Sequence, residues 1–174
     1  MGVSDISIGT ESGYNPALSS MGKGFSSRDI LVQCKRLDRA GLTYDLFYLV
    51  GMAGHGLGQA SAQATAELYS QLHPQRIMVH TMTAFSGTEL AHEVVQGKFE
   101  LAGELEMVRE LRTFVELLDC KGGTYLLGNH YGNAAPACGR IPEDRARLLQ
   151  AYDQVLANAD EAQLAAWRAQ MTSI

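Results

Sequence analysis

No apolar run in this chain reaches the roughly 18 to 20 residues that a membrane span requires. The first residues, Met1-Gly2-Val3-Ser4-Asp5, lack the basic and long apolar regions of a secretory signal peptide. Excess positive charge is missing too: the formal net charge is −5, which argues against binding a nucleic-acid phosphate backbone. Cysteine is scarce, and Cys34, Cys120 and Cys138 stand far apart with no CxxC spacing. That excludes a disulfide framework or zinc knuckle and fits a reducing cytoplasm. The expected protein is cytoplasmic, with neither membrane nor nucleic acid as a partner. Its 174 residues, 46% hydrophobic, are enough to bury one core.

The common catalytic and nucleotide signatures are also missing. Gly54-His55-Gly56-Leu57-Gly58-Gln59 lacks the third glycine of GxGxxG, and no acidic residue ends the next strand to hold a ribose. There is no GK[ST] for a P-loop and no GxSxG. His92-Glu93-Val94-Val95-Gln96 begins like HExxH but ends in Gln96, so the second zinc ligand is absent.

What the chain does have is a β-branched and aromatic run, Leu42 to Val50, that empties into glycines at 51, 54, 56 and 58. The run carries one charge, Asp45, and reads as a strand buried on both faces of a parallel sheet. Glycines at such a strand end are expected to leave backbone N–H groups bare, forming the floor of a binding site.

Around this centre the chain alternates. Strands are expected over Ser4 to Gly9, Leu42 to Val50, Arg76 to Met82 and Gly123 to Leu127. Helices are expected from Asn15-Pro16 to about Gly22, over Ser26 to Ala40 with Gly41 as the stop, and over Gln59 to Leu72 with Ala60, Ala64, Leu68 and Leu72 on one face. Thr88 caps a short helix to Gln96, and Leu105 to Leu118 shows the cleanest apolar stripe. Pro142 opens the next helix, and Asp160 with Gln163 starts a last one. Cys34 falls in an apolar stripe and reads as a core thiol.

Strand alternating with helix defines an α/β fold with a parallel sheet and right-handed crossovers. Four strands are too few to close a barrel, which takes about eight. The first strand has nothing before it to cover its edge, a liability that intact domains avoid. The chain is therefore expected to be an open α/β sheet or the back part of a larger barrel. Ligands in parallel sheets sit at the C-terminal strand ends. Residues there are Glu11, the glycine loop with His55, His80 to Met82, and Asn129-His130-Tyr131. On position alone, Glu11 is placed either to cap a turn or to accept hydrogen bonds from ribose hydroxyls. His55, His80 and His130 read first as structural histidines.

The order of these segments resembles the C-terminal part of a radical S-adenosylmethionine enzyme, of the broad group of Fe–S oxidoreductases. The resemblance is carried by Ile6-Ser7-Ile8-Gly9-Thr10-Glu11-Ser12-Gly13, Met21-Gly22-Lys23-Gly24, Tyr48-Leu49-Val50-Gly51-Met52-Ala53-Gly54 and Ala66-Glu67. It continues through His80-Thr81-Met82, Ser86-Gly87-Thr88-Glu89-Leu90, Gly97-Lys98-Phe99-Glu100-Leu101, Gly128-Asn129-His130 and Gly139-Arg140-Ile141-Pro142-Glu143-Asp144. It covers the chain to about Asn158, so residues 1–158 are expected to form part of a partial, TIM-barrel-like (βα) barrel. Residues 159–174 are expected to form a C-terminal helix.

The resemblance implies S-adenosylmethionine and a 4Fe–4S cluster as cofactors of the parent enzyme. Glu11 and Ser12 would meet the ribose, and Val50, Gly51, Met52, Thr81 and Met82 would border the adenine and methionine parts. His55, His80, Asn129 and His130 would face substrate. The family's CxxxCxxC cluster motif is absent, and the three cysteines have the wrong spacing to replace it. The loop has Ala53 where the family has Pro and His55 where it has an acidic residue. No metal site and no catalytic residue is assigned to this chain, and alone it is expected to be inactive. Its partner would be the missing N-terminal half of the barrel. Two alternatives remain: a stand-alone binding or assembly module that dimerises through its open edge strand, and an enzyme using Glu11, His55, His80 and His130 as a metal site.

Overall fold

A computed structural model describes residues 2–171. Strand β1 (Asp5–Glu11) leads through α1 (Asn15–Ser20) and α2 (Ser27–Ala40) to β2 (Thr43–Val50). Helix α3 (Gly58–Tyr69) then carries the chain to β3 (Arg76–Thr81). Next come α4 (Glu89–Val95), α5 (Glu104–Leu117) and β4 (Thr124–Gly128). Strand β5 (Ala137–Ile141), α6 (Arg145–Asn158) and α7 (Glu161–Arg168) complete the described chain.

Local chemistry sets most boundaries. The Ser26 hydroxyl accepts from the Asp29 N–H while the Asp29 carboxylate accepts from the Ser26 N–H, a reciprocal cap that starts α2. Gly41 ends it in the left-handed region at φ 68°. Thr88 and Asp160 cap α4 and α7 by accepting from the N–H groups of Ala91 and Gln163. At α1 the cap position is Tyr14, one residue before the expected Asn15. Asn15 instead uses its side-chain oxygen to accept from the Ser27 N–H, joining α1 to the start of α2.

The sheet order is β1-β2-β3-β4-β5, with the first four strands parallel and β5 antiparallel to β4. The sheet is open, consistent with a barrel fragment. It has five strands rather than the four expected. β5 escapes a sequence reading because Ala137-Cys138-Gly139-Arg140-Ile141 has little β-branched character and a central glycine. Helix α6 accordingly begins at Arg145, three residues after Pro142.

Because each parallel strand is added on the same side of the last, right-handed crossovers place the connecting helices on one face. Tyr44, Leu46, Tyr48 and Val50 of β2, and Ile77 and Val79 of β3, lie against that helix layer and are fully buried. The alternate residues face the other way: Phe47, Leu49, Met78 and His80 are only half-buried. β2 is thus buried on one face rather than two; its composition suits a second cover that the described residues do not provide. On the open face, strand pairing aligns Ser7, Asp45, Arg76, Tyr125 and Arg140 in one row, and Phe47, Met78, Leu127 and Cys138 in the next. Asp45 escapes exposure through a bidentate bond from Arg76, with N···O distances of 3.0 and 2.5 Å.

Helix α3 and the turn after it bury Leu68 and Leu72 as expected, but the rest of the inward face differs. Ser61, Ala62, Thr65, Ala66, Leu68 and Tyr69 point inward, while Ala60 and Ala64 are partly exposed. Small hydroxyl residues belong there because their polar groups are satisfied: Thr65 donates to the Ser61 carbonyl at 2.7 Å and accepts from the Gly13 N–H at 2.9 Å. The contact is close enough that a Cβ on Gly13 would stand 2.5 Å from the Ala64 carbonyl oxygen and 2.7 Å from Thr65 Cα. Gly13→Ala is expected to cost about 2–3 kcal/mol of unfolding free energy, as overpacking against immobile backbone does; urea denaturation would show the midpoint fall.

Candidate functional site

The glycine loop after β2 does not offer the bare N–H groups expected of it. The N–H of Gly51 donates to Glu110 Oε2 at 2.9 Å, and that of Gly56 donates to Glu106 Oε1 at 2.6 Å. The N–H groups of Met52, Gly54, His55 and Leu57 donate to the carbonyls of Leu49, Gly51, Glu100 and Gly54. Two carboxylates one turn apart on α5 therefore fill the place an anionic ligand would take. The glycines serve close packing instead. A Cβ on Gly51, whose φ is +84°, would sit 2.6 Å from Met107 Sδ, and one on Gly54 would be 2.8 Å from the Glu100 carbonyl oxygen.

Glu110 is the residue a sequence reading misses. It interrupts the stripe of Met107, Leu111 and Phe114 and is 1% exposed. Its other oxygen accepts from Tyr48 Oη at 2.7 Å. Burial pushes its carboxyl up to about 7, against the lowering effect of the Tyr48 and Gly51 donors. The visible signal was a carboxylate three residues from Met107 and four from Phe114, inside an apolar face.

A second set of side chains gathers on the open face at the strand tips. Glu11 adopts φ +64°, the left-handed region that an ordinary residue enters at a cost. The β1–β2 register shifts there, and Glu11 Oε1 lies 2.8 Å from where a Gly9 Cβ would stand. The carboxylate thus folds back over Gly9, onto the face shared with Ser7, and Lys23 Nζ meets it at 3.3 Å. From β3, His80 contacts the Phe47 ring edge-on at 5.2 Å and stacks on His130 at 4.2 Å; Tyr131 continues the series at 4.7 Å from His130. Burial first, then the neighbouring His130, holds His80 below its ordinary range, while Glu11 acts in the opposite direction. His80 therefore presents a neutral imidazole at neutral pH.

The expected site residues divide into three groups. Glu11, His80 and His130 come together on the open face, with Asn129 exposed at the end of β4. Ser12, Val50 and Met52 are buried in the helix layer, where Ser12 Oγ accepts from the Tyr14 N–H at 3.0 Å and lies 3.4 Å from Thr65 Oγ1. Thr81 donates to Asn133 Oδ1 at 2.7 Å, and Met82 lines a cavity behind the tips of β2 and β3. Gly51 lies at the same tips under Glu110. His55 stands apart, its Nδ1 2.8 Å from Glu106 Oε2. Glu11, His55, His80 and His130 do not form a metal site: among the described residues no three His, Cys, Asp or Glu side chains converge to hold an ion.

Asn133 is the other unforeseen residue. The β3–β4 ladder stops at Met78 and Leu127. Beyond that point the Asn133 amide donates to the carbonyls of Val79 and Gly128, both at 2.9 Å, and replaces the lost strand pairing.

The fold is of the partial (βα)-barrel class. Its backbone is similar to that of an Elp3 from the archaeon Methanocaldococcus infernus with an N-terminal deletion of residues 1–46, with a TM-score of 0.56 and 19% sequence identity. The likeness, one of fold, covers 69% of this chain and 29% of the Elp3 chain. No protein-family model and no curated protein matches the sequence. Among the described residues no helix is long and apolar enough to cross a membrane.

The Glu110 carboxyl predicts a pH dependence of stability. Between about 4.5 and about 7 the folded chain keeps this proton while the unfolded chain loses it. Its contribution therefore makes stability fall as pH rises through that window and level off above it, by about 3 kcal/mol at most at 1.36 kcal/mol per pKa unit. Urea unfolding of wild type and Glu110→Gln across pH 4.5–8 would isolate the contribution. The variant should lose this slope.

Proposed function

We propose that this chain is the C-terminal, substrate-side part of a radical S-adenosylmethionine iron–sulfur enzyme, with its open sheet face forming part of a barrel interior. The carrying observation is the one-sided sheet, in which Phe47, Leu49, Met78, His80 and Leu127 face away from the helix layer and are only half-buried. The motif order supports the same reading. So does the fold shared with Elp3, itself of the radical S-adenosylmethionine superfamily.

The residues present do not fit a 4Fe–4S cluster. Cys34 and Cys120 are buried, Cys138 lies on β5, and burial pushes the first two thiols up to about 11 and about 12, away from the thiolate a cluster needs. The cluster-binding cysteines belong to the other half of the barrel, and this chain alone is inactive. What it contributes is a polar rim and a platform. Glu11 accepts hydrogen bonds from ligand hydroxyls, Lys23 supplies a cation beside it, and the stacked His80–His130 pair borders the substrate. The Val50–Met52 segment acts from behind, since its side chains and N–H groups are already engaged.

The reading is tested with isotope-labelled chain and S-adenosylmethionine at millimolar concentration, without any cluster. Amide shifts are expected at Gly9–Ser12, Lys23, His80 and His130, and Glu11→Ala should reduce them at least fivefold. An unchanged spectrum, or shifts confined to 51–58, would retire the proposed berth. A tight dimer in light scattering, abolished by proline substitution in β1, would instead favour the stand-alone module.

A further inference from the structure

Helix α7 is attached in an unusual way. None of its residues is buried, so no apolar anchor holds it to the core. It is tied at its two ends by charge. At the first end, the Glu161 carboxylate accepts from the N–H groups of Glu104 and Leu105, at 2.6 and 2.8 Å, occupying the free N-terminus of α5. At the other, Arg168 makes a two-pronged ion pair with Glu104, donates to Thr83 Oγ1 at 2.9 Å and donates to the Gly132 carbonyl at 2.9 Å. One guanidinium thus joins α7 to α5, to the segment after β3 and to the segment after β4.

Beneath this bar lies a cavity of about 660 Å³, bounded by Met82, Phe85, Leu101, Met107, Ala165 and Met171. That volume lies within the range of small-molecule sites. The charged groups in the wall are engaged with one another: both Glu161 oxygens hold backbone N–H groups, and Arg168 is bound to a carboxylate, a hydroxyl and a carbonyl. An anionic ligand would have to break those bonds without a charged partner waiting for it. Apart from the hydroxyls of Thr83 and Ser86, the remaining side chains are thioether, aromatic and aliphatic, and the thioethers adapt to apolar shapes.

We propose that this cavity binds an uncharged, largely apolar small molecule, and that α7 is its lid, latched by the Arg168–Glu104 pair. The lid lies beyond Asn158, outside the segment that resembles the radical S-adenosylmethionine enzymes, and the inference does not depend on that reading. A helix with polar ends and no buried side chain opens by exchanging its latch for water, leaving the apolar core under α5 undisturbed.

The test uses the neutral fluorophore N-phenyl-1-naphthylamine with the whole chain. Trp167, the chain's single tryptophan, lies on the lid beside the latch, with the Arg168 guanidinium carbon 5.5 Å from its ring centroid, and reports binding by energy transfer. Saturable binding at one site is expected, at least tenfold tighter than for the anionic analogue 8-anilino-1-naphthalenesulfonate. Ala165→Trp, filling the cavity from the lid, should weaken binding at least tenfold; Leu101→Trp fills it from the opposite wall if the first variant does not fold. Arg168→Met combined with Glu104→Gln, which strands no buried charge, should raise the dissociation rate at least fivefold at an unchanged far-ultraviolet spectrum. Non-saturable binding, equal affinity for the anionic dye, or a dissociation rate indifferent to the latch would overturn the proposal. Displacement of the dye by S-adenosylmethionine would also overturn it, by assigning the cavity to the cofactor.

Discussion

Parallel strands added always on the same side, joined by right-handed crossovers, force the helices onto one face of the sheet. Every later feature of this protein follows from that constraint. Residues at even positions of β2, from Tyr44 to Val50, meet helices and vanish from solvent, while Asp45, Phe47 and Leu49 point into the space a closed barrel would enclose. Exposed apolar rows across three strands are expensive, at about 25 cal/mol for each Å² left in water. Asp45 and Arg76 lie one row away from the apolar row of Phe47, Met78 and Leu127, and Glu11, Lys23, His80 and His130 gather at the strand tips. That arrangement has the layered character of a barrel interior, with the carboxylate, amine and imidazole groups at the C-terminal tips.

The helix layer carries its own polar framework. Buried polar groups are tolerable only when paired, and here each pairing also fixes a strand tip. Glu110 joins the end of β2 to α5 through the Gly51 N–H, Asn133 closes the gap where β3 and β4 part, and the Ser12–Thr65 contact seats the turn after β1 on α3. Three buried tyrosines follow the same rule, whereas the buried Tyr152 hydroxyl has no partner among the described residues. Tyr48 meets Glu110, Tyr69 donates to the Phe47 carbonyl at 3.0 Å, and Tyr44 donates to Asp38 at 2.9 Å. The tips are therefore held from behind by hydrogen bonds and left clear in front.

Element type was legible in the sequence wherever local chemistry decides it. Ser26 with Asp29, Gly41, Thr88 and Asp160 each act as local rules require, and the strand–helix alternation implied a parallel sheet. Long-range competition erased the rest. The inward face of α3 is legible only in Leu68 and Leu72, because hydroxyl residues are ordinarily counted as exposed, and Ser61 and Thr65 become core only through partners on Gly13 and Ser12. The glycine loop reads as open because its closing carboxylates lie some 50 residues further along, on α5. β5 had no signal beyond its pairing with β4. For the candidate site, position correctly located Glu11, His80 and His130 at strand tips. Position alone did not reveal that Ser12 and Met52 would turn into the helix layer.

The conformation of Glu11 ties these observations together. A glutamate at φ +64° is strained, and that strain persists only where surrounding structure over-determines it. Thr10, one residue earlier, is locked into the helix side by its hydroxyl, which donates to the Phe47 carbonyl at 2.9 Å and lies 2.5 Å from Tyr69 Oη. Ser12, one residue later, is locked there as well, through Thr65 and the Tyr14 N–H. With both neighbours directed inward, strand alternation already places Glu11 on the open face, and its left-handed φ turns the carboxylate back over Gly9. Any larger residue at Gly9 would obstruct it, since a Cβ there already lies 2.8 Å from the carboxylate oxygen. The strained φ thus sets where on that face the carboxylate lies: over Gly9, beside Lys23 and near enough to His80 to act on it.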